Sequence, residues 1–92
     1  MIAMEIRWTY YFTKRCERRH YSIEKAEEII RYSTERYFDL DSSRRIAVGF
    51  VDNRLVVIPY EEENDIVTPV TIHETDRKQI NFRIRTSRFL RQ

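Results

Sequence analysis

The sequence predicts a single α+β domain in the order β-α-α, then an antiparallel β-meander, then a C-terminal helix. Three observations predict it. Apolar residues recur at helical spacing twice in the first third of the chain. From about Ser33 the period changes from helical to alternating, interrupted by turn residues. Near the end Asp76, followed three residues on by Gln79, has the form of a helix start.

The first strand is expected over about Ala3 to Arg7, and a helix over about Thr9 to Arg19. Trp8, Phe12 and Cys16 recur every four residues with Tyr11 alongside, while Lys14, Arg15, Arg18 and Arg19 fill the rest of the circumference. The second helix opens at Ser22, a good N-cap, with Tyr21 before it able to staple against Ala26. Glu24 suits the positive end of the helix dipole. Ile23, Ala26, Ile30 and Ser33 form one face, and Glu24, Glu27, Glu28 and Arg31 the wet one.

Tyr37–Leu40 reads as a short strand and Asp41–Ser43 as a turn. Along Arg45–Val51, Ile46, Val48 and Phe50 alternate with Ala47, Gly49 and Val51. Asp52–Asn53 then makes a two-residue hairpin turn before Leu55–Ile58, because Asp and Asn tolerate positive φ. The acidic run Glu61–Asp65 reads as a second turn and a solvated loop, lacking the spacing and glycine of a calcium loop. Ile66–His73 is the final strand expected, and Pro69 inside it requires an edge, a bulge or a break. Ile80, Phe82 and Ile84 alternate as a strand would, but the capping signal favours a helix over Asp76 to Thr86.

Ninety-two residues suffice for one modest core, and 35% charged residues make a charge-dense surface. The charge is sorted. Residues 1–21 hold five bases and two acids, residues 22–74 six bases and twelve acids, and residues 75–92 six bases and one acid, Asp76. A net +2 therefore hides two basic ends around an acidic middle, as expected of a chain with a polyanion-facing or partner-facing surface. The longest apolar run, Leu55–Ile58, is too short to span a bilayer, and Met1–Met4 meets Glu5 and Arg7 at once, so neither a membrane span nor a signal segment is expected. The lone Cys16 fits a reducing cytoplasm and buried packing. With two histidines and one cysteine, no usual zinc site is expected, nor any other metal or cofactor. There is no P-loop, dinucleotide fingerprint, nucleophile elbow or metalloprotease helix.

Before the second helix, the stretch Tyr11–Phe12–Thr13–Lys14–Arg15–Cys16–Glu17–Arg18–Arg19–His20–Tyr21–Ser22 resembles the pattern His-Ala-x-x-Arg-x-x-x-Arg-Gly-Ile-Ser of BrnT-like proteins, within the BrnT and RelE/ParE group of toxin-fold domains. Arg15, Arg19 and Ser22 match directly; Phe12 and Tyr21 keep the apolar character. Tyr11 stands where the histidine would be and His20 where the glycine would be. The meander and basic terminal element fit the same group more loosely. The resemblance implies a RelE-like fold and a cytoplasmic toxin–antitoxin component. Ribosome-dependent members of the group cleave messenger RNA, ParE-like members act on gyrase, and most are held by a cognate antitoxin.

A metal-independent endoribonuclease needs a proton-transfer group at the ribose 2′-hydroxyl and cations for the charge growing on phosphate. The residues available for this are His73, Arg77, Arg83 and Tyr11 as the catalytic set, with Arg15, Arg19, Lys78 and Arg85 holding the RNA backbone. His73 is the best proton-transfer candidate, although it could simply end a strand; His20 reads as the end of the first helix. Arg31, Arg36, Arg44, Arg45 and Arg54 are expected to make ordinary surface ion pairs. Arg88 and Arg91 read as a solvated end. Of the aromatics Tyr10, Tyr11, Tyr32, Tyr37 and Phe89, most are expected inside. The alternative is a non-catalytic protein- or nucleic-acid-binding module on the same fold, holding a partner or a second copy of itself. A DNA-contacting regulator is a third reading.

Overall fold

The computed structural model describes residues 4–92 as ten elements. These are β1 (Glu5–Ile6), α1 (Tyr10–Arg19), α2 (Ile23–Tyr32), β2 (Glu35–Asp39), β3 (Arg44–Val51), β4 (Arg54–Glu63), β5 (Ile66–Pro69), β6 (His73–Glu74), α3 (Arg77–Arg85) and β7 (Phe89–Arg91). The class is α+β as expected. The first strand is shorter than expected, and Ala3 lies outside the described residues.

Both early helices begin where side-chain caps allow. Thr9 and Ser22 accept from the amides of Phe12 and Lys25. Helix α1 ends at His20, which takes a left-handed conformation at φ 61°, ψ 40°, and its amide satisfies the Cys16 and Glu17 carbonyls. This is the position where the resembling pattern has glycine, the residue that adopts this conformation without strain.

Strands β2, β3 and β4 form the antiparallel meander, with β7 beside β2 and the broken strand β5–β6 beside β4. Strand β1 adds to β5 in parallel. Alternation sends Ala47, Val51, Val56, Ile58 and Tyr60 to one face, where they pack with Phe12, Cys16, Ala26 and Ile30 from α1 and α2. Ile46, Val48, Leu55 and Val57 go to the other face, where they meet Ile80 of α3 with Tyr37 and Phe89. Helices thus cover both faces of the sheet, which explains the unbroken apolar run Leu55–Ile58.

Several details depart from the sequence reading. Glu61–Glu63 belong to β4; only Asn64 and Asp65 turn, both at positive φ. Their carboxylates therefore alternate between faces of a strand and do not converge on one point. The strand Ile66–His73 is broken after Pro69, one of the outcomes expected of a residue that cannot donate to the ladder. It is also not the last strand. Phe89–Arg91 forms β7, because Arg88 donates to both carboxylate oxygens of Asp39 at 2.8 and 3.1 Å and the Leu40 amide donates to the Arg88 carbonyl. Arg88 is thus a structural residue, not a solvated end. Most of the aromatics expected inside are outside: Tyr10, Tyr11 and Tyr32 are exposed, while Tyr37 and Phe89 stack in the core.

The surface arginines meet the expectation of ordinary ion pairs only in part. Arg31 and Arg44 pair with Glu27 and Glu61. Arg36 instead donates to the carbonyls of Ile30 and Ser33 and to the Tyr60 hydroxyl, closing the end of α2. Arg54 does the same for α1 through the Arg19 and His20 carbonyls, lying 3.9 Å over the Tyr21 ring. Arg45 bonds the Gln92 side chain.

Asp39 is the buried charged residue of the described chain, 3% exposed. Burial alone would raise its pKa, but hydrogen bonds from Arg88, Ser42 and the Asp41 amide outweigh that and lower it from 3.8 to about 2. Its contribution to stability is therefore complete above pH 3.8 and lost as pH falls toward about 2. Arg88→Ala should cost about 2–4 kcal/mol, below the full value for a buried pair because Arg88 is partly exposed. Chemical denaturation at neutral pH checks this, and a loss under 0.5 kcal/mol (about the scatter of ordinary surface changes) would show the pair to be dispensable. The single glycine gives a second test. A Cβ on Gly49 would stand 2.7 Å from Ile29 Cγ1, so Gly49→Ala should destabilise by about 1–3 kcal/mol, read as a lowered denaturation midpoint.

Candidate functional site

The break in the β5–β6 strand creates the site. After Pro69 the Val70 amide still bonds the Pro59 carbonyl, but the chain rejoins β4 only where His73 opposes Val57. Between them Ile72 turns its side chain into the core under α1 and α2. The Ile72 carbonyl accepts from Arg15 Nε at 3.0 Å. The same guanidinium places Nη2 3.0 Å from His73 Nδ1.

A guanidinium has donors only. His73 Nδ1 must therefore accept, and the imidazole proton stays on Nε2. Partial burial, then the charges of Arg15, Arg19 and Arg83, hold the His73 pKa below its ordinary value. Near neutral pH the ring is an uncharged imidazole among cations.

His73 lines a cavity of about 430 Å³ between the sheet and α3. Arg83 faces it from α3, Arg44 from the start of β3, and Arg88 from the segment leading into β7. Arg83 reaches it because Ile80 and Ile84 bury their side of α3 and leave Arg83 on the flank. It makes no ion pair among the described residues.

The residues picked from sequence are thereby divided. His73, Arg15 and Arg83 come together, and Arg19 lies near enough for its charge to act on His73. Tyr11 stands one turn before Arg15 on the same helical face, exposed, with no hydrogen bond to His73 among the described residues. Arg77 is not in the cavity. Both its terminal nitrogens reach Glu35 at 2.6 Å, and Glu35 also accepts from the Tyr37 hydroxyl. Arg77's bonds hold the Glu35 carboxyl below the usual range, so this arginine is committed to a fold contact. Lys78 and Arg85 flank Phe82 on the outer side of α3. At about 100° per residue, Arg83 stands roughly 140° from Lys78 and 160° from Arg85 around the helix.

Sequence reasoning missed Glu35, Arg44, Thr71 and Gln79. Gln79 was visible as a capping residue and accepts from the Thr75 hydroxyl at 2.9 Å. Nothing in the local sequence marks Thr71 or Arg44 as cavity residues.

Among the described residues no three His, Cys, Asp or Glu side chains are grouped to hold a metal ion, and no helix is long and apolar enough to cross a membrane. Comparisons with models of known families, with curated proteins and with solved structures gave no match.

Removing Arg15 should relieve part of the positive field on His73. The His73 pKa, followed by NMR titration, is expected to rise in Arg15→Ala toward its ordinary value of 6.5. An unchanged or lower pKa would show that the Arg15 contact does not govern this imidazole.

Proposed function

We propose that this chain is a toxin-like domain of the BrnT and RelE/ParE type whose basic cavity binds the RNA backbone and cleaves it without a metal. The observation that carries this reading is that His73 and Arg83 line one cavity while Arg15, from α1, bonds the His73 imidazole from outside that lining. Asp39 and Glu74 also line the cavity, but Asp39 is taken by Arg88 and Arg83 makes no ion pair among the described residues, so Arg83 would take the charge that grows on a scissile phosphate. Arg15 and Arg19 would hold neighbouring phosphates from α1.

The proton path follows from the tautomer. In the free protein Arg15 occupies the only lone pair of His73. A bound phosphate competes for that guanidinium, and drawing it away frees Nδ1 as a base. His73 then takes the 2′-hydroxyl proton as O2′ attacks phosphorus, the bond to O5′ breaks, and the proton passes from His73 to O5′. The products are a 2′,3′-cyclic phosphate and a free 5′-hydroxyl. A depressed pKa keeps the ring ready to accept this proton near neutral pH.

A second reading has its own support. The Arg77–Glu35 pair removes one of the residues that catalysis would employ, and the Arg15 contact closes the base nitrogen in the resting state. Both favour a non-catalytic module that binds RNA or a protein partner such as an antitoxin.

Purified protein, with and without ribosomes, should cut RNA to cyclic-phosphate ends. His73→Ala and Arg83→Ala should each lower the rate about 10²-fold or more. RNA bound with strong salt dependence but left whole would replace the nuclease with the binding module. Neither binding nor cleavage would remove both RNA readings.

A further inference from the structure

The cavity beneath α3 has a part that phosphate binding alone leaves unused. Its floor is apolar, made by Ile46 and Val57 of the sheet and by Phe89. Its wall includes Thr71, whose hydroxyl oxygen is buried and without a hydrogen-bond partner among the described residues. A buried hydroxyl without a partner costs free energy, and groups of this kind commonly mark a place for a ligand or an ordered water. Opposite the sheet, Gln79 is fixed by the Thr75 hydroxyl on its Oε1, which leaves the two Nε2 donors for another partner.

The rim has the complementary character. Arg88 is spent on Asp39 through Nε and Nη2. Arg83 makes no ion pair among the described residues, its guanidinium lying 5.5 Å over the Phe89 ring, and Arg44 meets only an exposed Glu61 at 3.4 Å, a contact that an anion can displace. An apolar floor, two side chains able to donate hydrogen bonds and two available arginines thus surround about 430 Å³, within the usual range of small-ligand sites of about 300–1000 Å³.

We infer that this cavity takes one unstacked nucleotide, its base on Ile46, Val57 and Phe89, its edge against Thr71 and Gln79, and its phosphate on Arg44 and Arg83. The inference rests on the RNA reading for its ligand class and sharpens it, because a base stacked and paired within a duplex cannot reach an apolar floor beneath α3. The substrate is then single-stranded RNA with a splayed base, as in most sequence-specific RNA recognition.

Isothermal titration with AMP, CMP, GMP and UMP, and with ribose 5-phosphate, tests it. The nucleotides should bind about tenfold more tightly than ribose 5-phosphate, the scale of one base contact. Thr71→Val removes the unpartnered hydroxyl at nearly constant shape, so its melting temperature should stay level or rise while nucleotide affinity falls several-fold. Gln79→Ala should compress the differences among the four nucleotides. Equal affinity for nucleotides and ribose 5-phosphate overturns the base pocket, whether or not longer RNA binds. So does a Thr71→Val protein that binds nucleotides like the parent. Mononucleotide binding without binding of single-stranded oligonucleotides would uphold the pocket and reject the RNA reading instead.

Discussion

The architecture of the C-terminal third hangs on one buried carboxylate. Asp39 ends β2, and its two oxygens take the Asp41 amide, the Ser42 hydroxyl and the Arg88 guanidinium. The first two bonds set the turn into β3. The third docks β7 against β2 and brings Phe89 onto Tyr37. Because β7 follows α3 directly, the same bond holds α3 over the second core and Arg83 over the cavity. A charge buried this deeply persists only with its hydrogen bonds satisfied, so the turn, the last strand and the helix stand or fall together.

The high charge content finds its use in backbone chemistry as much as in solubility. Arg15, Arg36 and Arg54 each donate to carbonyls that secondary structure leaves open, at a broken strand and at the ends of two helices. Arginine suits this work because its donors are several, planar and always charged. The consequence for function is selective. Arginines bound to carbonyls or carboxylates, such as Arg36, Arg77 and Arg88, are committed to the fold, while Arg83 and part of Arg15 remain for a ligand. Charge sorting along the chain therefore overstated the basic surface.

His73 shows how a fold defect becomes a site. The ladder breaks after Pro69, the chain lifts away over Thr71 and Ile72, and its return leaves His73 at the start of a two-residue strand. Arg15 then meets both the orphaned Ile72 carbonyl and the imidazole. The pairing of a cation with a neutral histidine costs proton affinity at the ring, and it sets the tautomer. Both consequences bear directly on any proton transfer the cavity carries out.

The sequence by itself determined the class and most element positions, because period, caps and turn residues act over a few neighbours. Ser22, Asp76 and the Asp52–Asn53 turn are where local chemistry put them. It also indicated His73, Arg15 and Arg83. What it could not reveal was which arginines would be used up. Arg77 on Glu35 and Arg88 on Asp39 are pairings across 42 and 49 residues, and a helix drawn without its neighbours shows no reason for Arg83 to differ from Lys78 or Arg85. Strand β7 was missed for the same cause, since three residues with one buried side chain carry little periodic signal. Only the tertiary structure decided these points, because the energy of a buried ion pair or an edge strand resides in a partner that local sequence does not specify.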